Sequence, residues 1–129
     1  MSDDGQPATA QQHDIGATVR VWKDIISRAR FDKVIPGTRP GRYLKASTVK
    51  AVAGRLADYA DPNGRRVFPG IARVAADCQI SYDIAARCVA GLREFGLIER
   101  TRRAVRRGAR SERERTDEYR LTLDRKSVV

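Results

Sequence analysis

Residues 100–110 read RTRRAVRRGAR, in which Arg100, Arg102, Arg103, Arg106, Arg107 and Arg110 place six guanidinium groups in eleven residues with no acid between them. A guanidinium is a planar fork of donors that matches phosphate oxygens or a guanine edge. Like charge at this density is either a solvated tail or a surface built to lie against a polyanion. The flanks favour the second. LIERTRR before the run and DEYRLTL after it alternate like strands, with Tyr119, Leu121 and Leu123 on one face. A basic run between two strands is a hairpin loop. Its acids, Glu112, Glu114, Asp117 and Glu118, can fold back on the arginines in the absence of a ligand.

A second group of candidates lies upstream. In SYDIAARCVAGLREF, Ser81 is a good N-cap, and the amides beside it can point at a phosphate. Tyr82 can bond a phosphate, touch a thymine methyl or cover the turn before it. Arg87 is the best candidate for a base contact, since Arg on guanine is the commonest specific pairing; the alternative is an ion pair with Asp83 one turn earlier. Asp83 itself serves better to orient Arg87 than to accept from cytosine. Arg73, one helix upstream, suits a phosphate. Arg73, Ser81, Tyr82, Arg87 and the six arginines of the run are expected to touch double-stranded DNA.

The bulk charge agrees with that expectation. Net charge is +10 over 129 residues, which points first to nucleic acid, then to an anionic membrane surface, and last to acidic protein partners. No apolar run reaches the roughly twenty residues of a membrane span, and no secretory leader opens the sequence, so a cytoplasmic location is expected. Cys78 and Cys88 then read as reduced interior thiols. His13, the single histidine, lies in a polar tail. No metal constellation, nucleophilic arrangement or Gly-rich phosphate loop is evident, so no catalysis, cofactor or small-molecule ligand is expected.

The elements that must position these groups follow from periodicity. Residues 1–17 are polar and small and are expected to be a disordered tail. In TVRVWKDIISRARF, Trp22, Ile25, Ile26 and Ala29 mark one face of a helix. Residues 18–46 hold this helix and a Pro/Gly-rich loop. In the loop, Lys33, Arg39 and Arg42 read as a solvated linker, with contact to a DNA backbone as the alternative. The loop leaves the helix room to swing away, so Trp22, Ile25 and Ile26 either cover the chain's own domain or form a homodimer face, the second being the favoured reading. From Ser47–Thr48, taken as the cap, a helix buries Val49, Val52, Ala53 and Leu56 and stops at DPNG. Pro69 is expected to open the next helix, with Ile71, Val74, Ala75 and Cys78 inward. The helix after Ser81 turns Ala85, Cys88, Val89 and Leu92 inward and ends at Gly96. Residues 124–129 are a C-terminal tail. The fold class is mainly α with a small β hairpin: a winged helix-turn-helix over residues 47–123, preceded by an extra N-terminal helix.

The stretch DYADPNGRRVFPGIARVAADCQISYDIAARCVAGLREFGLIER resembles the winged-helix domains of plasmid and phage replication proteins and of actinobacterial mobile-element regulators. Asn63-Gly64, Pro69-Gly70-Ile71, Ser81 and Leu92–Ile98 hold the places of that pattern. Two departures stand out. Gln79 occupies a turn position that is usually Gly, and the outer helix face shows Tyr82, Asp83, Ala86, Arg87 and Ala90 in place of the usual Arg, Gln and Thr cluster. The resemblance implies a non-enzymatic, sequence-specific reader of duplex DNA, acting as a transcriptional or mobile-element regulator. Helix 81–95 would enter the major groove, and the wing would grip the backbone or an adjacent groove. The alternatives are a replication initiator or accessory factor on origin repeats, and a winged-helix protein-interaction module.

Overall fold

The computed structural model describes residues 18–67, 69–105 and 107–123. The two tails expected at 1–17 and 124–129, and the candidate Arg106, lie outside the described residues. Among the described residues, five helices and two strands follow in order: α1 Val19–Arg28, α2 Ala46–Asp58, α3 Ile71–Cys78, α4 Tyr82–Glu94, β1 Ile98–Arg102, α5 Glu112–Arg115 and β2 Glu118–Leu121. The molecule is mainly helical with a two-stranded antiparallel hairpin.

The core fills from α1 to α4 and both strands. Val49, Val52, Ala53, Leu56 and Ala57 of α2 meet Ala85, Cys88, Val89 and Leu92 of α4, the inward positions that the helical period selects. Tyr119 and Leu121 close it from the hairpin. Local chemistry then sets the ends. Ser81 Oγ accepts the Ile84 N–H at 3.1 Å and starts α4. Asp61 Oδ1 accepts the amides of Asn63 and Arg65 and holds the turn after α2. Two starts differ from expectation. α2 begins at Ala46 with Lys45 as its N-cap, so Ser47 and Thr48 lie inside the helix. Gly70, at φ 79°, is the N-cap of α3, which leaves Pro69 outside it.

The turn between α3 and α4 is left-handed at Gln79, φ 58° and ψ 44°, and closes when the Ile80 N–H bonds the Ala75 carbonyl at 3.0 Å. A non-Gly residue therefore occupies the αL position that glycine normally fills. Asp77, near the end of α3, accepts from Arg55 Nε at 3.0 Å and Tyr59 Oη at 2.8 Å. These bonds hold its carboxyl below the usual carboxylate range and tie the short α3 to α2.

The N-terminal segment is part of the same core. Trp22 is fully buried, and its indole N–H donates to the carbonyls of Leu97 at 2.7 Å and Thr122 at 3.1 Å. It thereby pins α1 beneath the base of the hairpin. Ile26, Phe31, Ile35 and Leu44 are buried in the same cluster. The segment after α1 is also no free loop. Pro36 and Tyr43 form an antiparallel bridge, and the Leu44 N–H bonds the Ile35 carbonyl at 2.8 Å. The basis for a homodimer face at Trp22, Ile25 and Ile26 is thus corrected. Trp22 and Ile26 are spent on the chain's own core, Ile25 is half-buried, and pairing through this stripe would first require unpacking it.

Candidate nucleic-acid interface

α4 offers a sparse outer face. Tyr82, in its first turn, is 60 % exposed, so its ring does not cover the preceding turn. Ser81 spends an Oγ lone pair on the Ile84 amide and remains exposed. Asp83 also lies in the first turn, where a carboxylate favours the positive end of the helix dipole. Its Oδ2 takes Arg87 Nε at 3.2 Å, the i,i+4 pair read from the sequence. Both side chains are well solvated, so the pair is worth under about 1 kcal/mol. The bond uses only Nε. Among the described residues the two terminal amino groups of Arg87 have no partner, and Asp83 fixes the plane in which they lie.

Arg73 is exposed in the first turn of α3 and makes no ion pair among the described residues. The start of α3 also abuts the hairpin. A Cβ on Gly70 would stand 2.8 Å from Thr116 Cγ2, so the absence of a side chain there lets α3 approach the wing loop. The elements carrying Arg73 and the wing arginines therefore adjoin.

The wing is more ordered than a basic loop requires. β1 and β2 pair through Ile98–Leu121, Glu99–Arg120, Arg100–Tyr119 and Arg102–Glu118, with an irregularity between Arg100 and Arg102. Past the strands, the Ala104 N–H bonds Asp117 Oδ1 at 2.8 Å, the Val105 N–H bonds the Glu114 carbonyl at 2.6 Å, and the Arg110 N–H bonds Glu114 Oε1 at 2.8 Å. The single turn of α5 lies inside this loop.

These bonds divide the arginines in two. Arg100 reaches Asp117 at 3.5 Å, and Arg102 lies 3.9 Å from Glu118 and donates to the Thr116 carbonyl. Both are largely covered at the base of the wing. The acids expected to fold back do so at Asp117 and Glu118, while Glu114 holds backbone amides. Arg103, Arg107 and Arg110 are exposed along the loop. The structure thus brings Arg103, Arg107 and Arg110 into one loop as available cations, and makes Arg100 and Arg102 part of its frame.

Sequence reasoning missed one positioning element. Val67 and Tyr119 exchange N–H···O bonds at 2.9 and 2.6 Å, and the Leu121 N–H bonds the Gly64 carbonyl at 2.7 Å. Residues 64–67 therefore run along the outer side of β2 and lock the wing to the turn ahead of α3. The apolar pair Val67-Phe68 between a turn and Pro69 is the signal that could have shown it.

No helix among the described residues is long and apolar enough to cross a membrane, and no group of His, Cys, Asp or Glu there could hold a metal ion. Comparison with protein-family models, curated proteins and solved structures returns no match.

Proposed function

We propose that this protein is a non-enzymatic, sequence-specific double-stranded DNA-binding protein of the cytoplasm, acting as a transcriptional or mobile-element regulator. The observation that carries the reading is the pairing of two surfaces on one rigid frame. α4 follows a tight left-handed turn and presents Tyr82 and an oriented Arg87, and the adjoining wing holds Arg103, Arg107 and Arg110 in solvent. α4 reads base edges in the major groove, with Arg87 on a guanine. The loop arginines meet phosphates or enter the neighbouring minor groove, where their charge is drawn by the stronger potential. Arg73 adds a phosphate contact from α3.

Fluorescence anisotropy on a labelled random duplex, followed by selection from a randomised duplex library, tests this. Salt-sensitive binding to the random duplex and enrichment of one sequence are the expected results. Binding that shows no sequence preference after selection would reduce the protein to a general DNA coat, and no binding at all would refute the reading.

A further inference from the structure

The segment ahead of α2 carries a second basic hairpin. Between the buried Ile35 and Leu44, the Gly37 N–H bonds the Arg42 carbonyl at 2.8 Å and the Arg42 N–H bonds the Arg39 carbonyl at 3.1 Å, so the chain reverses at 39–42. The hairpin is wedged against α4. A Cβ on Gly91 would stand 2.5 Å from Ile35 Cδ1, so glycine at that position is what admits the hairpin. Gly91 follows Arg87 by four residues, one helical turn along the same flank.

Charge is the second observation. Lys33, Arg39, Arg42 and Lys45 are all exposed, and residues 33–45 contain no acid. Among the described residues none of the four forms an ion pair, whereas Arg87, Arg100 and Arg102 each do. A solvated linker has no need of buried feet, a closed ladder and a fitted seat on α4. Unbalanced cations on a rigid mount fit a polyanion.

We propose that the 35–44 hairpin is a second backbone clamp, which contacts phosphates on the Arg87 side of the groove that α4 occupies. The proposal rests on the DNA-binding reading above. From Ile35 to Arg39 an extended chain spans up to about 13 Å, comparable with the roughly 12 Å width of a major groove. A hairpin seated on the helix flank therefore has the length to reach a bordering phosphate strand. The protein then holds duplex at three places: the wing, α4 and this hairpin.

The test uses the full chain with Arg39→Ala/Arg42→Ala and, as a charge-preserving partner, Arg39→Lys/Arg42→Lys. Affinity for a random duplex is measured across salt concentrations, with phosphate ethylation interference on the selected site. The alanine pair should shrink the slope of log K against log salt by about 1.8, two contacts at roughly 0.9 each, and abolish interference at phosphates on one side of the site. The lysine pair should restore both, and the thermal midpoint should stay unchanged in each. An unchanged slope and interference pattern in the alanine pair, with wild-type binding intact, overturns the clamp but leaves the DNA reading standing. Failure of the wild-type protein to bind duplex overturns both. An intact slope on duplex with lost binding to phosphatidylserine vesicles would assign the hairpin to a membrane and also overturn the clamp.

Discussion

Gln79 is the residue on which the helix-turn-helix bends, and it holds left-handed backbone without the freedom of glycine. For an L-residue that conformation costs about 1–2 kcal/mol, and glycine gives back about half of the difference through its more mobile unfolded chain. Gln79→Gly should therefore stabilise by about 0.5–1 kcal/mol and raise the thermal midpoint by about 2–4 °C, read by circular dichroism. A lower midpoint would show that the Gln79 side chain contributes more than its backbone strain removes. Cys88 makes a second argument at this scale. Burial pushes its thiol up from 9.0 to about 11, so the folded state holds the proton longer than the unfolded state. Its contribution is complete below pH 9 and declines as pH rises from there through 11. Burial also raises Tyr119 above its ordinary value of 10.0, which adds to the decline at the upper end. Urea midpoints should fall across this window in the wild type, and the decline should start later in Cys88→Ala.

Among the elements, α1 shows where local pattern stops carrying information. The spacing of Trp22, Ile25, Ile26 and Ala29 was enough to read the helix, and likewise the inward faces of α2 and α4. It could not say what covers the stripe, because the partners of the Trp22 indole lie 75 and 100 residues away. The same non-locality hid the 64–67 edge of the sheet and the seat of Ile35 on Gly91. In the wing, strand alternation revealed the hairpin and the likeness of its charges. Which arginines the acids would capture depended on register, which sequence does not print. Trp22→Phe keeps most of the apolar volume but removes the donor for two carbonyls, and should cost about 2–4 kcal/mol. Chemical denaturation measures it. A cost near zero would mean that α1 is only loosely attached to the hairpin base, and would revive the stripe as a surface for a second copy.

At the scale of the whole molecule, the +10 charge is not one uniform attraction, because the frame sorts its arginines into separate tasks. Arg103, Arg107 and Arg110 stand in solvent on the wing loop, and each phosphate they meet releases a counterion whatever the sequence. Replacing all three with alanine should weaken selected and random duplex alike and shrink the salt slope by up to about 2.7. Arg100 and Arg102 are held by Asp117 and Glu118, so their replacement should lower the thermal midpoint and alter the slope much less. Arg87→Ala should act on neither. If its fork reads a base edge, it should cost about 1–3 kcal/mol on the selected site and little on random duplex. Asp83→Ala separates positioning from contact: if Asp83 only orients the guanidinium, discrimination falls part of the way toward that of Arg87→Ala while random-duplex affinity rises with the lost negative charge. Anisotropy on the selected and random duplexes, for each variant and across salt, reads all of these together. If the wing variant loses sequence preference while Arg87→Ala keeps it, the roles are exchanged: the loop arginines then read the width of a minor groove, and α4 serves as the mount that sets their depth.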